Sequence, residues 1–262
     1  MSARKPYVGG NWKMNLNGQQ AVDLATQLAD GFTAGDQVQA TVFPAFPYLD
    51  KVGQALASKN SAIQLGAQDF YHQPNGAFTG EVSLDMLKDV GTSVVLIGHS
   101  ERRHVIGETD ILINEKVLAS LEAGMEVILC IGEKIEQREA NQTDAINTGQ
   151  LGYGLAGVSS AQMAKITIAY EPVWAIGTGK TATSQDAQDT HKVIRQALGF
   201  LYNESVADGV RIQYGGSCKP SNAAELFSQA DIDGGLIGGA ALKSEDFLGI
   251  LQAAADKAGV PA

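Results

Sequence analysis

Short apolar runs alternate along the chain with longer segments in which apolar residues recur at helical spacing. Most of the short runs are apolar on both faces, which is typical of parallel strands buried beneath helices. We therefore predict strands at Tyr7–Trp12, Val38–Phe43, Ile63–Ala67, Ser93–Ile97, Glu126–Ile131, Ile166–Tyr170, Arg211–Tyr214 and Gly234–Ile237.

Several of the longer segments begin with residues that cap helices. In a capping box, the first side chain and one three residues later each bond the other's backbone. Thr183 has Asp186 at that spacing and Asn222 has Glu225, while Ser244 is followed at once by two acidic residues, which suit the positive end of a helix. The predicted starts are Asn17, Thr183, Asn222 and Ser244.

About eight strand–helix units in 262 residues predict an α/β protein, and the pattern favours a (β/α)8 barrel. An open, doubly wound sheet has the same local pattern and stays the alternative. No Pro- or Ser-rich linker, low-complexity tract or long charge block interrupts the chain, so we expect a single domain over residues 1–262.

The charge balance limits the partners that we expect. The chain has 19 Lys and Arg against 29 Asp and Glu, a formal net charge of -10. Such a field repels phosphate backbones and anionic lipid surfaces, so we expect neither nucleic acid nor a membrane as partner. An anionic substrate would need a local positive pocket.

Cysteine usage and the apolar runs bear on location. The chain has only two cysteines, too few for a disulfide scaffold, and this fits a reducing cytoplasm. No secretory signal stands at the start, and no apolar run approaches the ~20 residues that span a bilayer. We therefore expect a cytoplasmic protein.

In either architecture, functional residues collect just beyond the carboxyl ends of the strands. Lys13, His99 and Glu171 each follow a different predicted strand, which is the pattern of a catalytic set. Each also has a structural alternative: a solvated lysine, a packed histidine, and a strand-end glutamate paired with a lysine.

The local sequence gives these residues an expected geometry. Asn11 and Lys13 are two apart on an extended segment, so their side chains would share a face. His99 precedes a helix-like segment, whose positive end disfavours a charged ring and predicts a neutral donor. Pro172 keeps Glu171 extended, which aims its carboxylate out of the strand end as a possible general base.

Glycines follow the last two predicted strands, at Gly216-Ser217 and Gly238-Gly239. Bare backbone N–H groups beside a helix start can bind phosphate, and barrel phosphate sites recur at this place. The segment after Glu171 mixes apolar residues with glycines, a composition that suits a lid.

Two further glycine motifs do not predict nucleotide sites. GTGKT at residues 177–181 lacks the first glycine of a phosphate-binding loop, and the G-x-G-x-x-G at residues 152–157 follows a polar stretch instead of a strand. No two histidines have metal-ligand spacing on a helix face, so we expect no metal.

The chain resembles the triosephosphate isomerase family along essentially its whole length. The motifs that carry the resemblance are GGNWKMN at 9–15, GAFTGEVS at 76–83, IGHSERR at 97–103, AYEPVWAIGTGKTAT at 169–183, YGGS at 214–217 and LIGGAAL at 236–242. The resemblance implies a (β/α)8 (TIM) barrel that interconverts dihydroxyacetone phosphate and D-glyceraldehyde 3-phosphate, in glycolysis and gluconeogenesis, without cofactor or metal.

The same resemblance implies a role for each matching residue. Glu171 would be the base, His99 the electrophile and Lys13 the cation facing the substrate, beside Asn11. Glu101 would orient Lys13, and an apolar pair would close over the base. Backbone N–H groups of Gly177, Ser217, Gly238 and Gly239 would hold the phosphate, and the apolar pair would be Ile176 and Leu236.

The resemblance also implies a homodimer, in which the loop Gln68–Glu81 brings Thr79 close to the partner's active site. Three residues depart from what is frequent in the family. This chain has Asp69 where Asn is frequent, Cys218 where Val is frequent and Ala241 where Ser is frequent. Two other hypotheses stay open, an inactive barrel kept as a binding or scaffold protein and a metal-dependent sugar-phosphate epimerase.

Overall fold

Eight parallel strands form the centre of the fold in the computed structural model, which describes residues 4–175 and 182–259. They alternate with helices on the outside. The strands are β1 (Tyr7–Asn11), β2 (Gln39–Phe43), β3 (Gln64–Ala67), β4 (Val94–Ile97), β5 (Glu126–Ile131), β6 (Ile166–Tyr170), β7 (Arg211–Tyr214) and β8 (Gly234–Ile237).

The α-helices follow the strands and cover them. They are α1 (Gly18–Gly31), α2 (Leu49–Ser58), α3 (Leu84–Asp89), α4 (Asp110–Glu122), α5 (Ile135–Glu139), α6 (Thr143–Gly154), α7 (Ser184–Leu201), α8 (Glu204–Gly209), α9 (Pro220–Ser228) and α10 (Ser244–Ala258). A short π-helix at Arg102–Ile106 and a 3₁₀ turn at Gly239–Leu242 follow β4 and β8.

The sheet closes on itself because β1 pairs with β8, with Tyr7 opposite Gly234 and Gly10 opposite Ile237. Neighbouring strands follow chain order around the ring. The predicted (β/α)8 barrel is therefore confirmed, and the doubly wound alternative, which needs two free edges, is wrong.

The predicted strand bounds are close to those observed. The last four strands match, and the first four are each one residue shorter than predicted. At the end of β1 the reason is visible: the backbone of Lys13 has a φ of 52°, a left-handed conformation that ends the extended chain.

Two of the predicted helix caps are confirmed, since the side chains of Asn17 and Thr183 both accept from the third residue of their helices. The Asn222 prediction is wrong. Helix α9 begins at Pro220, whose ring suits the first turn, and Asn222 accepts from Lys219 N at 2.8 Å. Ser244 is the first residue of α10, not its cap, with the two acidic residues in the first turn.

Side chains fill the interior of the barrel. Large apolar residues from opposite strands meet there, and a separate, larger cluster lies between the strands and the helices. Because these side chains occupy this part of the axis, a binding site is expected at an end of the barrel. The inner cluster is Tyr7, Phe43, Val94, Leu96, Ile128, Cys130, Ala169 and Leu236.

Two negative findings apply to the described ranges. No helix within them is long and apolar enough to cross a bilayer. The G-x-G-x-x-G motif begins at the end of α6, in agreement with the interpretation of a helix-end loop.

Candidate active site

A cavity of about 720 Å³ lies at the carboxyl ends of the strands. Residues that follow β1, β4, β6, β7 and β8 line it, so segments far apart in sequence meet there. Eight of the residues singled out in the sequence are among those that line it: Asn11, Lys13, His99, Glu171, Ser217, Leu236, Gly238 and Gly239.

Lys13 reaches this cavity in a way that differs from the prediction. We expected Asn11 and Lys13 to share one face of an extended strand. Instead β1 ends at Asn11, whose Oδ1 accepts from the backbone N of Lys13 at 2.9 Å. The left-handed backbone of Lys13 then turns its side chain toward the cavity, so the alternation argument was wrong although both residues line the site.

The ammonium group of Lys13 lies 2.5 Å from Oε1 of Glu101. The backbone oxygen of Lys13 accepts from the side-chain amide of Gln68 at 2.8 Å. The side chain keeps 25% exposure, so the charge faces the cavity without being fully desolvated. Lys13 thus holds a positive charge at the mouth of a site in an acidic protein, where it can attract an anion.

His99 is buried, and both ring nitrogens have neighbours. Nδ1 accepts from the backbone N–H of Glu101 at 3.2 Å, and Nε2 lies 3.0 Å from Oε1 of Glu171. Burial lowers the pKa of His99, but the Glu171 carboxylate raises it by more in this conformation, so the net direction is upward. The neutral ring predicted from the helix start therefore stays a prediction.

Glu171 lies opposite His99 and is buried. Its Oε2 accepts from the backbone N of Ser100 at 2.9 Å, and the Ser100 hydroxyl lies 3.3 Å from Oε1. Burial raises the pKa of Glu171, while His99, the Ser100 N–H and Lys13 together lower it by more, so the net pKa is below the usual value. The carboxylate is therefore ionised at neutral pH and able to accept a proton.

Ser100 was not singled out in the sequence, although it holds the carboxylate of Glu171. A signal was available, because the first N–H groups of a helix lack partners within it and Ser100 directly follows His99. What could not be inferred is that the acceptor lies 71 residues away.

The opposite side of the cavity is lined by backbone. Gly238 precedes a 3₁₀ turn and Gly239 begins it, and Ser217 lies three residues before the start of α9. Nothing lies within 4 Å of the place that a side chain would take at Gly239, so its backbone is open to the cavity. A side chain at Gly238 would meet the Lys13 side chain at 3.5 Å. Bare backbone and a cation thus lie close together, which suits an anion.

Two described residues to which the sequence assigned a role do not line the cavity. Glu101 contacts Lys13 from outside it, and Thr79 is exposed on the loop after β3. Ile176 and Gly177 lie outside the described residues.

Asp69, one of the departures from the family pattern, belongs to a closed ring of four charges. Lys116 Nζ contacts Asp69 at 2.5 Å and also Glu108. Arg102 contacts the same two carboxylates at 2.7 and 2.8 Å. The ring ties the loop after β3 to the turn after β4 and to α4.

Within the described ranges, no three His, Cys, Asp or Glu side chains are grouped so that they could hold a metal ion.

Comparison with known proteins agrees with this geometry. Residues 6–254 match the family described as triosephosphate isomerase. The chain is 50% identical over 252 residues to the triosephosphate isomerase of Chlorobium phaeovibrioides, covering 96% of this chain and 99% of the relative. It is 51% identical over 247 residues to that of Treponema denticola, covering 94% and 98%. It is 49% identical over 249 residues to that of Carboxydothermus hydrogenoformans, covering 95% and 98%.

Proposed function

The chain belongs to the triosephosphate isomerase family, and from this we propose that it interconverts dihydroxyacetone phosphate and D-glyceraldehyde 3-phosphate through an enediolate. The observation that carries the proposal is the 3.0 Å contact between Glu171 and His99 inside one cavity with Lys13 and bare backbone N–H groups. This set supplies a base, a donor and an anion site.

In the proposed first step, Glu171 removes a proton from the carbon next to the substrate carbonyl. The electron pair of that C–H bond forms the carbon–carbon double bond, and the carbonyl electrons move to its oxygen. In the structure both carboxylate oxygens already have partners on Ser100 and His99. The side chain must therefore turn away from them toward the substrate before it acts as a base.

His99 would stabilise the oxygen that becomes negative. In a neutral ring its Nε2–H would point at Oε1 of Glu171, 3.0 Å away, and both residues line the cavity. When the carboxylate turns to the carbon, this donor becomes free for the substrate oxygens and can move a proton between them. Glu171 then returns its proton to the neighbouring carbon, so that no proton is gained or lost overall.

We propose that the phosphate binds at Ser217, Gly238 and Gly239, with Gly177 completing the site and Lys13 balancing the charge. Leu236 and Ile176 would cover the base and exclude water, which strengthens charge interactions inside. These assignments rest on the motif match and, for the described residues, on their shared cavity.

The remaining predictions concern the whole molecule. We propose that residues 1–262 act as one catalytic domain and that two copies form a homodimer. Met14, next to Lys13, is 95% exposed, and Phe78 at the tip of the loop after β3 is 39% exposed. Such apolar side chains at a site edge fit burial by a second copy, with Thr79 reaching the partner's site. A cytoplasmic location stays a prediction.

A coupled isomerase assay on the purified protein tests the proposed activity. The Lys13→Met variant keeps the stem and deletes the charge, so it should lose nearly all kcat/KM. Lys59→Met is the matched control, because Lys59 also pairs with a carboxylate, at 2.8 Å from Asp30, but lies away from the cavity.

Three results would contradict the proposal. An inactive wild-type protein would favour a binding or scaffold role for the barrel. Activity that is lost with a chelator would favour the metal-dependent epimerase class. Equal kcat/KM in Lys13→Met and Lys59→Met would remove Lys13 from the site.

A further inference from the structure

Arg103 is buried directly behind the catalytic side of the barrel and makes three contacts. Its side chain is 6% exposed. Nε donates to the backbone oxygen of Gly98 at 2.7 Å, and one terminal nitrogen donates to the backbone oxygen of Cys130 at 3.1 Å. The other terminal nitrogen pairs with Asp110 at 2.6 Å. Two of the three acceptors are therefore the ends of neighbouring strands.

These two backbone oxygens lie where the hydrogen-bond ladder between β4 and β5 stops. The last pair in the register is Ile97 with Leu129. At Gly98 the chain leaves the sheet with a φ of +72°, so Cys130 has no strand residue opposite it on that side. A buried backbone oxygen without a partner is costly, and the guanidinium supplies the missing donor.

Gly98 and Arg103 fit each other sterically. A side chain at Gly98 would lie 2.9 Å from the terminal nitrogen of Arg103 and 3.1 Å from the Cys130 oxygen. The positive φ also favours glycine at this position. The absence of a side chain thus leaves the space in which the guanidinium reaches across both strand ends.

Each strand end that Arg103 holds supports one half of the proposed proton-transfer pair. Gly98 directly precedes His99, so its position sets where the imidazole starts. On the other strand, the backbone oxygen of Ile131 accepts from the N–H of Glu171 at 2.8 Å. The Cys130 thiol also lies close enough to Glu171 for the carboxylate to raise its pKa, in addition to the larger effect of burial.

We propose that Arg103 is a positioning residue for the isomerisation: its planar fork fixes the separation of His99 and Glu171 by bridging the backbone oxygens of Gly98 and Cys130. The inference rests on the proposed function. A lysine cannot replace the fork, because an ammonium group is a point charge without two parallel donors in one plane. Asp110 has a different part, since it neutralises the buried guanidinium from the solvent side.

The test compares Arg103→Lys and Arg103→Gln with Asp110→Asn, after isomerase activity has been measured in the wild type. Asp110→Asn keeps both contacts to backbone oxygen and removes only the ion pair. A shift of about 1 Å at a reacting group can cost about 100-fold in rate, so kcat should fall about 10- to 100-fold in both Arg103 variants. KM should change less than about threefold, and Asp110→Asn should stay within about threefold of wild type.

A second readout does not depend on activity. The ¹⁵N shifts of the His99 ring, measured without substrate, should change in Arg103→Lys but not in Asp110→Asn. An inactive wild type refutes the proposed function and not the positioning, which the ring shifts then still test. A folded Arg103→Lys with normal kcat or unchanged ring shifts would overturn the inference. An equal loss of kcat in Asp110→Asn would also overturn it. Failure of both Arg103 variants to fold would overturn it as well, because the role of Arg103 would then be structural.

Discussion

The backbone N–H of Glu101 donates to Nδ1 of His99 across 3.2 Å. An acceptor nitrogen must keep its lone pair, so this contact assigns the proton of a neutral ring to Nε2, on the side of Glu171. The carboxylate raises the pKa of His99 only from its present place, whereas burial and Lys13 lower it. When Glu171 turns to the substrate carbon, the neutral ring becomes more favoured.

We predict that ¹⁵N NMR of the complex with a substrate analogue shows a protonated Nε2 and an unprotonated Nδ1 at neutral pH. His99→Gln should lower kcat by about 100-fold, the size expected when one donor to a developing oxyanion is removed. His104→Gln is the control, because His104 is exposed on the same turn and does not line the cavity. Two protonated ring nitrogens in the complex would contradict the assignment.

The carboxylate of Glu171 must reach the substrate carbon from a fixed backbone. The backbone N–H of Glu171 donates to the backbone oxygen of Ile131 at 2.8 Å, so the backbone cannot move to compensate for a shorter side chain. Glu171→Asp should therefore lower kcat by about 100-fold while KM changes little. Steady-state kinetics in both directions measure this. A higher KM with unchanged kcat would make Glu171 a binding residue instead of the base.

The barrel itself could be predicted because its signal is local and repeated. Strands buried on both faces are mostly apolar, and several of the helices between them show caps and helical spacing. The ends of the strands then follow, and with them the positions of Lys13, His99 and Glu171. The pattern alone left open whether the sheet closes into a barrel. Closure depends on the pairing of Tyr7 in β1 with Gly234 in β8, which lie near opposite ends of the chain.

The contacts that fix the site geometry could not be predicted in the same way. The left-handed backbone at Lys13 is uncommon for a lysine, and residue type does not indicate it. The Ser100–Glu171 hydrogen bond and the two contacts of Arg103 to strand ends join residues through space. Sequence reasoning placed the reacting groups at one end of the barrel but did not supply the groups that hold them.

The charge ring around Asp69 gives two contrasting stability predictions. Burial, with a smaller contribution from the Glu108 carboxylate, raises the pKa of Asp69 by more than Lys116 and Arg102 lower it, so the ionised form is less favoured in the fold than in the unfolded chain. A group of this kind contributes more stability at low pH and loses it as pH rises. Asp69→Asn should thus be at least as stable as wild type at pH 7.

Lys116→Met should behave in the opposite way. It leaves Asp69 and Glu108 buried with one cation between them, and breaking a buried pair in this manner costs about 3 kcal/mol or more. Urea unfolding of both variants at pH 7 measures the difference. A strongly destabilised Asp69→Asn would show that its ion pairs outweigh the cost of burial.

His191 lies fully buried on α7, between the rings of Tyr170 and Tyr214. Its Nδ1 contacts the backbone oxygen of Asp231 at 3.1 Å, and its Nε2 has no hydrogen-bond partner among the described residues. Burial outweighs the neighbouring carboxylates and lowers the pKa of His191 to about 4. The folded protein therefore holds this ring neutral over a pH range in which an unfolded histidine, with a pKa of about 6.5, takes up a proton.

The sign of the pH effect follows from this difference. As pH falls from about 6.5 to about 4, the unfolded chain binds a proton at His191 that the folded chain does not, so stability is lost in that window. Over the whole window the loss amounts to about 3 kcal/mol from this one group. His191→Phe keeps a ring between the two tyrosines but cannot titrate. Its free energy of unfolding, measured with urea at several pH values between 4 and 7.5, should fall less steeply with acid than that of wild type, even if it is lower at pH 7. Equal slopes for the two proteins across the window would show that His191 is protonated in the fold as readily as outside it.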